Sequence, residues 1–307
     1  MKILLFGKFG QVGWQLQRAL APLGQVTAVG RSDVDLEQPD RLRALIRSAA
    51  PDIIVNAAAY TAVDQAETEP ERAMKINAGA VDVMAEEMQR ADGWLVHYST
   101  DYVFDGARAA PYVETDTPAP KSVYGRTKLA GERAIAASGC RHLLFRTSWV
   151  HSAQGSNFAK TMLRLARERP ELKVVSDQIG APTGADLIAD VTALALHRLR
   201  FDAALAARAS GLYHLTASGT VSWHGYACML VREAARGGAV LRVTPERVLP
   251  ISSAQYPVPA ARPANSRLDT AKLRATFGLT LPSWEAGVMR LLAQLDPNRL
   301  TKPEFFL

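Results

Sequence analysis

The sequence predicts an α/β protein in which a doubly wound parallel sheet is followed by a smaller C-terminal lobe. Three observations predict it. Short apolar runs of strand length, beginning at Lys2 to Phe6, alternate with segments of helical periodicity. The first run opens directly onto Gly7, Gly10 and Gly13 and then onto a helical segment. Further on, Tyr124 and Lys128 stand four residues apart at the start of another helical segment, so one face carries both.

Strand, glycine turn and helix in that order form the Rossmann-like context for a dinucleotide. The first glycine permits a tight turn, the second lets a pyrophosphate approach the helix N-terminus, and the third brings helix against strand. The spacing is Gly-x-x-Gly-x-x-Gly, whereas the commonest fingerprint is Gly-x-Gly-x-x-Gly. The helix is expected over 12–23 and a second strand over 26–29. That strand ends in Gly30-Arg31-Ser32, with Asp33 and Asp35 beyond. Arg31 is suited to receive a 2′-phosphate, which favours NADPH. A solvated loop charge is the other reading, so NADH stays open. Asp35 and Leu36 fall where an adenine would be flanked.

A helix through Leu42 and Ile46 and a third strand over 52–55 lead into Asn56-Ala57-Ala58-Ala59-Tyr60-Thr61. Small residues at a strand's carboxyl end let a cofactor lie near the backbone, at the crevice used by open α/β sheets. A helix-rich stretch reaches Arg90, with Asn77 as a buried hydrogen-bonding residue. The fourth strand, 94–98, ends in Ser99-Thr100-Asp101-Tyr102. Successive residues of a strand face opposite ways, so one hydroxyl packs and the other faces substrate. The Tyr124 hydroxyl has an ordinary pKa of about 10, and a cation held nearby would pull it towards the working range. Further strands are expected at 142–145, 172–175 and 212–215, and helices at 157–167, 186–199 and 223–235, the last capped by Ser222. Trp149, at a strand's carboxyl end, suits stacking under a sugar or base, with core burial the alternative. The alanine-rich stretch 201–208 reads as a mobile connector. Pro245, Pro250, Pro257, Pro259, Pro263 and Pro282 then break up a loop-rich lobe in which Arg262 and Arg267 could hold a diphosphate. A final amphipathic helix covers 284–295, and 296–307 reads as peripheral. Residues 1–150 are thus read as the NADP-binding domain, with some later segments returning to it, and 151–307 as mainly the substrate-binding lobe.

At 307 residues and 48% hydrophobic content, the chain can bury a substantial core. Lys and Arg exceed Asp and Glu by 36 − 30 = 6. That suits anionic small molecules, but no long basic run or nucleic-acid module points to nucleic acid. No apolar run approaches membrane-spanning length, and the N-terminal segment reads as a strand, not a signal peptide. Cys140 and Cys228 lack disulfide or metal spacing, in keeping with a reducing, cytoplasmic location.

With these motifs in order, the chain resembles the extended short-chain dehydrogenase/reductases. Within them it is similar to the dTDP-4-dehydrorhamnose reductase family, through Gly7 to Trp14, Asn56 to Asp64, Ser99 to Phe104, Val123 to Glu132, Arg146 to Trp149, Asn157 to Leu163, Asp177 to Gly184 and Arg262 to Ser266. The resemblance implies an NADPH-dependent reduction of the C4 ketone of a dTDP-sugar. It makes Tyr124 the proton donor, Lys128 the partner of the nicotinamide ribose, and Thr100 a hydrogen-bond donor to the carbonyl. It maps Gly10, Gln11, Val12, Asp35, Leu36, Ala59, Tyr60 and Thr61 onto the cofactor. Thr100, Asp101 and Trp149 map onto the substrate, with Tyr102, Asn157 and Arg262 nearby. Some members of this family hold Mg²⁺ at a homodimer interface, and the matching positions here are Gln15, Asp186 and Glu285. A glutamine brings no charge to a hard cation, which argues against a required metal and leaves a homodimer open. A 4,6-dehydratase or 4-epimerase is a rival, but a dehydratase commonly has glutamate where Tyr102 stands. A non-catalytic subunit on the same fold would be expected to lose the Tyr/Lys pair or the glycine turn.

Overall fold

The structure, a computed structural model, describes residues 1–295; the segment 296–307 lies outside the described residues. The chain begins with β1 (Lys2–Phe6), α1 (Gln11–Leu20), β2 (Gln25–Val29), α2 (Pro39–Ala49) and β3 (Ile53–Asn56). It continues through α3 (Ala80–Arg90), β4 (Trp94–Thr100), α4 (Val123–Ser138) and β5 (Arg141–Thr147). The later elements are α5 (Phe158–Glu168), β6 (Leu172–Val175), α6 (Ala185–Phe201), β7 (Gly211–His214), α7 (Trp223–Arg236), β8 (Val248–Ile251), α8 (Ala271–Phe277) and α9 (Trp284–Leu295).

Six strands form one parallel sheet in the order β7-β5-β4-β3-β1-β2. Strands β2 and β3 flank β1 on opposite sides, so the winding reverses there and opens a crevice at the carboxyl ends. The strands are apolar because both faces are covered. Ile3, Leu5, Val55, Val96 and Phe145 meet α1 and α6 on one face. Leu4, Phe6, Ile54, Leu95 and Leu144 meet α2, α3 and α4 on the other. Each such fully buried side chain contributes roughly 1.5–3 kcal/mol.

The lobe has its own core. Leu163, Tyr226, Leu230, Trp284 and Val288 join α5, α7 and α9, while Leu172, Val174, Val231 and Val248 hold β6 and β8 against α5 and α7. Strand β6 pairs in parallel with β8 in a separate two-stranded sheet, and β7 returns to the main one.

Local differences from the sequence reading have physical causes. The expected mobile connector is ordered: Asp202 caps a short helix, Ala203–Ala206, and Leu205 and Ala209 are buried in the main core. Strand β8 and helix α8 give the proline-rich region more regular structure than expected. The helix predicted to reach Leu23 changes to a tighter 3₁₀ turn at Ala21–Leu23, with Pro22 in its first turn. Ser222 caps α7 as expected, accepting the Gly225 amide at 3.0 Å.

Under α4 lies a buried ion pair, in which Arg146 Nε and Nη2 donate to Glu132 at 2.9 and 2.6 Å. Removing one partner strands the other charge. Glu132→Ala is therefore expected to lose about 3–5 kcal/mol in urea unfolding; a loss below 1 kcal/mol would mean Arg146 finds another partner.

Candidate functional site

The glycine turn is built by close approach. Gly7 has φ +89°, and a Cβ there would lie 2.8 Å from the Ala57 carbonyl carbon. A Cβ on Gly13 would lie 2.0 Å from the Gly7 oxygen, so α1 can press on the turn only with glycine at that place. The N-cap is Gly10, which supplies no side-chain cap, and α1 therefore presents the amides of Gln11, Val12 and Gly13 at its N-terminus. This cradle fits a dinucleotide pyrophosphate.

Beside it lies a cavity of about 390 Å³ lined by Gly7, Arg31, Asp35, Leu36, Ala59, Tyr60 and Thr61 among others. Most of the cofactor positions expected from the sequence thus share one crevice; Gly10, Gln11, Val12 and Gly13 form the adjoining turn. Arg31 is exposed and pairs with Asp35 at 3.3 Å and Glu37 at 3.6 Å, while Lys8 pairs with Asp33 at 2.7 Å. The rim therefore carries both signs of charge.

Helix α4 carries the next group. Ser122 caps it by accepting the Gly125 amide at 3.1 Å. A Cβ at Gly125 would sit 2.2 Å from the Tyr102 oxygen, so this glycine lets the first turn of α4 meet the end of β4. Asn77 Oδ1 accepts the Tyr60 amide at 2.8 Å, and its Nδ2 donates to the Tyr60 carbonyl and to Thr127 Oγ1, each at 3.1 Å. The loop lining the crevice is thereby fastened to α4. Tyr124, half-buried, packs like Tyr60 against the cluster of Ala66, Ala73 and Val123, and meets Tyr102 edge-on at 5.6 Å.

The hydroxyl of Tyr124 lies against that of Thr100, and its buried setting pushes the phenol up to about 12. Thr100 Oγ1 donates to Asp101 Oδ1 at 3.1 Å and accepts the Tyr102 amide at 3.2 Å. Burial pushes Asp101 up to about 6, an effect that Ser266 and Thr100 oppose. Lys128 is 1% exposed; its Nζ donates to the Tyr98 carbonyl at 2.7 Å and lies 3.0 Å from His97 Nε2. This corrects the expectation that Lys128 lowers the Tyr124 pKa. Lys128 Nζ is engaged on β4, burial pushes its pKa down to about 8, and burial raises the phenol.

The structure also redirects several substrate expectations. Asn157 is a helix cap and a tie: Oδ1 accepts the Lys160 amide, while Nδ2 donates to Gln11 Oε1 at 2.8 Å and the Ser152 carbonyl at 2.7 Å. Trp149, at φ +49°, stacks on Trp223 with centroids 3.5 Å apart, so one ring face is already covered. Arg262 pairs with Asp64 at 2.7 Å above the Tyr102 ring, leaving Nη1 buried without a partner among the described residues. Arg267 does not join it. Its guanidinium donates to Asn265 Oδ1 and to the Ala109 carbonyl, beside a different cavity. Gln15 and Asp186 line a small cleft with His151, but Asp186 pairs with Arg290 at 3.2 Å and Glu285 is not in the lining. Among the described residues, no group of three or more His, Cys, Asp or Glu gathers to hold a metal.

A family model described as RmlD substrate binding domain matches residues 1–296. The chain is 52% identical to the dTDP-4-dehydrorhamnose reductase of Escherichia coli K12, over 96% of this chain and 98% of that protein. It belongs to this reductase family. A Burkholderia thailandensis relative of the same name is 51% identical over 94% of this chain and 97% of its own. The crystal structure of Bacillus anthracis dTDP-4-dehydrorhamnose reductase in complex with NADP superposes with a TM-score of 0.85 at 34% identity, covering 95% of this chain and 99% of that one. A Thermus thermophilus UDP-glucose 4-epimerase, at 20% identity and a TM-score of 0.75, shares the fold.

Sequence reasoning overlooked His97 and the partners of Asn56 at this reductase site. The available signal was a histidine in the middle of an otherwise apolar strand, level with an asparagine ending the strand before it. Elsewhere among the described residues, no helix is long and apolar enough to cross a membrane.

His151, 3% exposed beside Asp186, is pushed down to about 4 by burial. Its folded pKa lies below the ordinary 6.5, so the unfolded chain binds the extra proton and stability falls as pH drops from about 6.5 to about 4. The contribution is on the order of 3 kcal/mol. Thermal unfolding across that window is expected to be flatter for His151→Gln than for the natural protein; parallel curves would remove His151 from the acid response.

Proposed function

We propose that the chain reduces the C4 ketone of dTDP-4-dehydro-β-L-rhamnose to the alcohol of dTDP-L-rhamnose, with NADPH as reductant. The observation that carries this reading is that the carboxyl end of β4, with Thr100 and the Tyr98 carbonyl, meets Tyr124 and Lys128 of α4, the helix fastened to the crevice through Asn77. Two independent supports are the family membership and the relative crystallised with NADP.

The pyrophosphate falls to the glycine turn and the first amides of α1, and the adenosine side to the cavity holding Arg31, Asp35 and Leu36. NADPH, when bound, supplies the hydride. The chain supplies a proton and its orientation. A phenol raised to about 12 is protonated at neutral pH, so Tyr124 starts each turnover as the acid that an incoming alkoxide needs. Thr100 holds the carbonyl oxygen beside that phenol, and preorganised donors of this kind stabilise negative charge as it forms. Asp101 and Tyr102 border the sugar; Arg262 is the nearby cation for the diphosphate. Lys128 leaves β4 for the nicotinamide ribose.

Tyr124→Phe is expected to fold and to bind NADPH while losing about 10²–10⁴-fold in turnover with the keto-sugar, followed as NADPH oxidation. Near-natural rates would end Tyr124's role. The ammonium of Lys128, pushed down to about 8, is lost as pH rises through that value. The kcat/KM for NADPH is accordingly expected to fall by about tenfold per pH unit above it; a flat profile between pH 7 and 10 would contradict the need for a charged Lys128.

A further inference from the structure

Two polar residues occupy the apolar middle of the sheet. Asn56 ends β3 and His97 lies on β4; they are register partners, each 1% exposed. Asn56 Oδ1 accepts the Ala58 amide at 3.0 Å, which fixes the carboxamide and turns Nδ2 towards His97 Nδ1, 3.1 Å away. A neutral imidazole has one N–H, so with Nδ1 accepting, the proton is on Nε2. That N–H faces Lys128 Nζ at 3.0 Å. Two donors cannot share a hydrogen bond. The contact is satisfied when Lys128 is an amine that accepts from Nε2–H and donates to the Tyr98 carbonyl.

The surroundings agree. Burial, and then the nearby Lys128, hold His97 well below its ordinary pKa, so it stays a neutral imidazole. The charged group that acts on Lys128 is Glu132 on α4; Arg146 on β5 pairs with Glu132, and His214 on β7 is the register partner of Arg146. Glu132, one helical turn from Lys128, favours the ammonium, but Arg146 takes both its oxygens and burial is the larger effect on Lys128. Among the described residues, no carboxylate is hydrogen-bonded to Lys128.

Resting on the cofactor reading above, we propose that His97, oriented by Asn56, is a positioning residue that favours the neutral amine of Lys128 while it rests on β4, and that a Lys128 resting as the amine takes a proton from solvent when it leaves this contact for the nicotinamide ribose. The Ala58 amide belongs to the loop that lines the crevice, so the same hydrogen-bond chain links loop geometry to the state of Lys128.

The test is calorimetric titration of NADPH into the full-length protein at pH 9, in two buffers of different ionisation enthalpy. The two heats give the protons taken up per cofactor bound. The natural protein is expected to take up about one proton, and Lys128→Met close to none. His97→Gln can turn an amide oxygen to the ammonium, and Asn56→Asp makes His97 Nδ1 a donor and frees Nε2 to accept. Both relieve the conflict, so uptake should drop by at least half in each. Should one of these variants not fold, the other and the natural protein still decide. Binding without proton uptake in the natural protein, or undiminished uptake in the two variants, would overturn the proposal and leave the reductase reading standing. No NADPH binding at any pH would overturn both.

Discussion

The seating of α4 on β4 organises the rest of the site. Lys128 reaches the Tyr98 carbonyl at 2.7 Å from a helix that can come so close only because Gly125 clears Tyr102 and Gly131 clears Asn77. A buried amine without partners would cost several kcal/mol, so the carbonyl and His97 are conditions of the packing. Once α4 is fixed there, Tyr124 has one place to go, against Thr100 at the strand end. Asn77 then carries that placement to the loop around Tyr60, and so to the crevice at the winding reversal.

What the sequence makes legible is local. The run from β1 through the glycine turn to α1 is continuous in sequence, and its pattern reports directly on backbone approach. The same holds for the Ser222 cap and for Tyr124 and Lys128 on one helix face. What it hides depends on partners far along the chain. The strand at 172–175 is legible, but its partner, Val248 to Ile251, lies in a stretch whose prolines argue for loops. Trp149 suits either a sugar stack or the core, and the cover on one of its ring faces comes from Trp223, 74 residues later. Composition misleads at 201–208, where alanines suggest flexibility and Leu205 is buried in the core. Arg262 and Arg267 are close in sequence, but separate partners draw them apart.

Behind the site, the sheet stores charge away from water. Ser99, Arg146 and His214 are register neighbours on β4, β5 and β7, all deeply buried. Arg146 spends two donors on Glu132 and lies 4.9 Å over the Phe104 ring. His214 is held to about 3 by burial and then by the Arg146 charge, and it accordingly stays neutral. Such groups add little net stability, since desolvation offsets much of what they gain. Their effect is to fix the distance between α4 and the strand ends: Glu132 is one turn beyond Lys128 on the same helix, and moving it would uncover Arg146.

The direction of the Tyr124 shift bears on the direction of the chemistry. A tyrosine meant to remove a proton from an alcohol needs a stabilised phenolate, and a cation at the ring oxygen would provide one. Here the Lys128 side chain is held on β4, and burial raises the phenol to about 12, so it is protonated at neutral pH. An oxidation through the same group would first have to remove that proton. The protonated phenol can begin a reduction at once, because the proton needed by the alkoxide is in place before the substrate arrives. The same burial makes the phenol a weaker acid, so a movement of a charged Lys128 towards Tyr124 would ease loss of that proton at the step where it is given up.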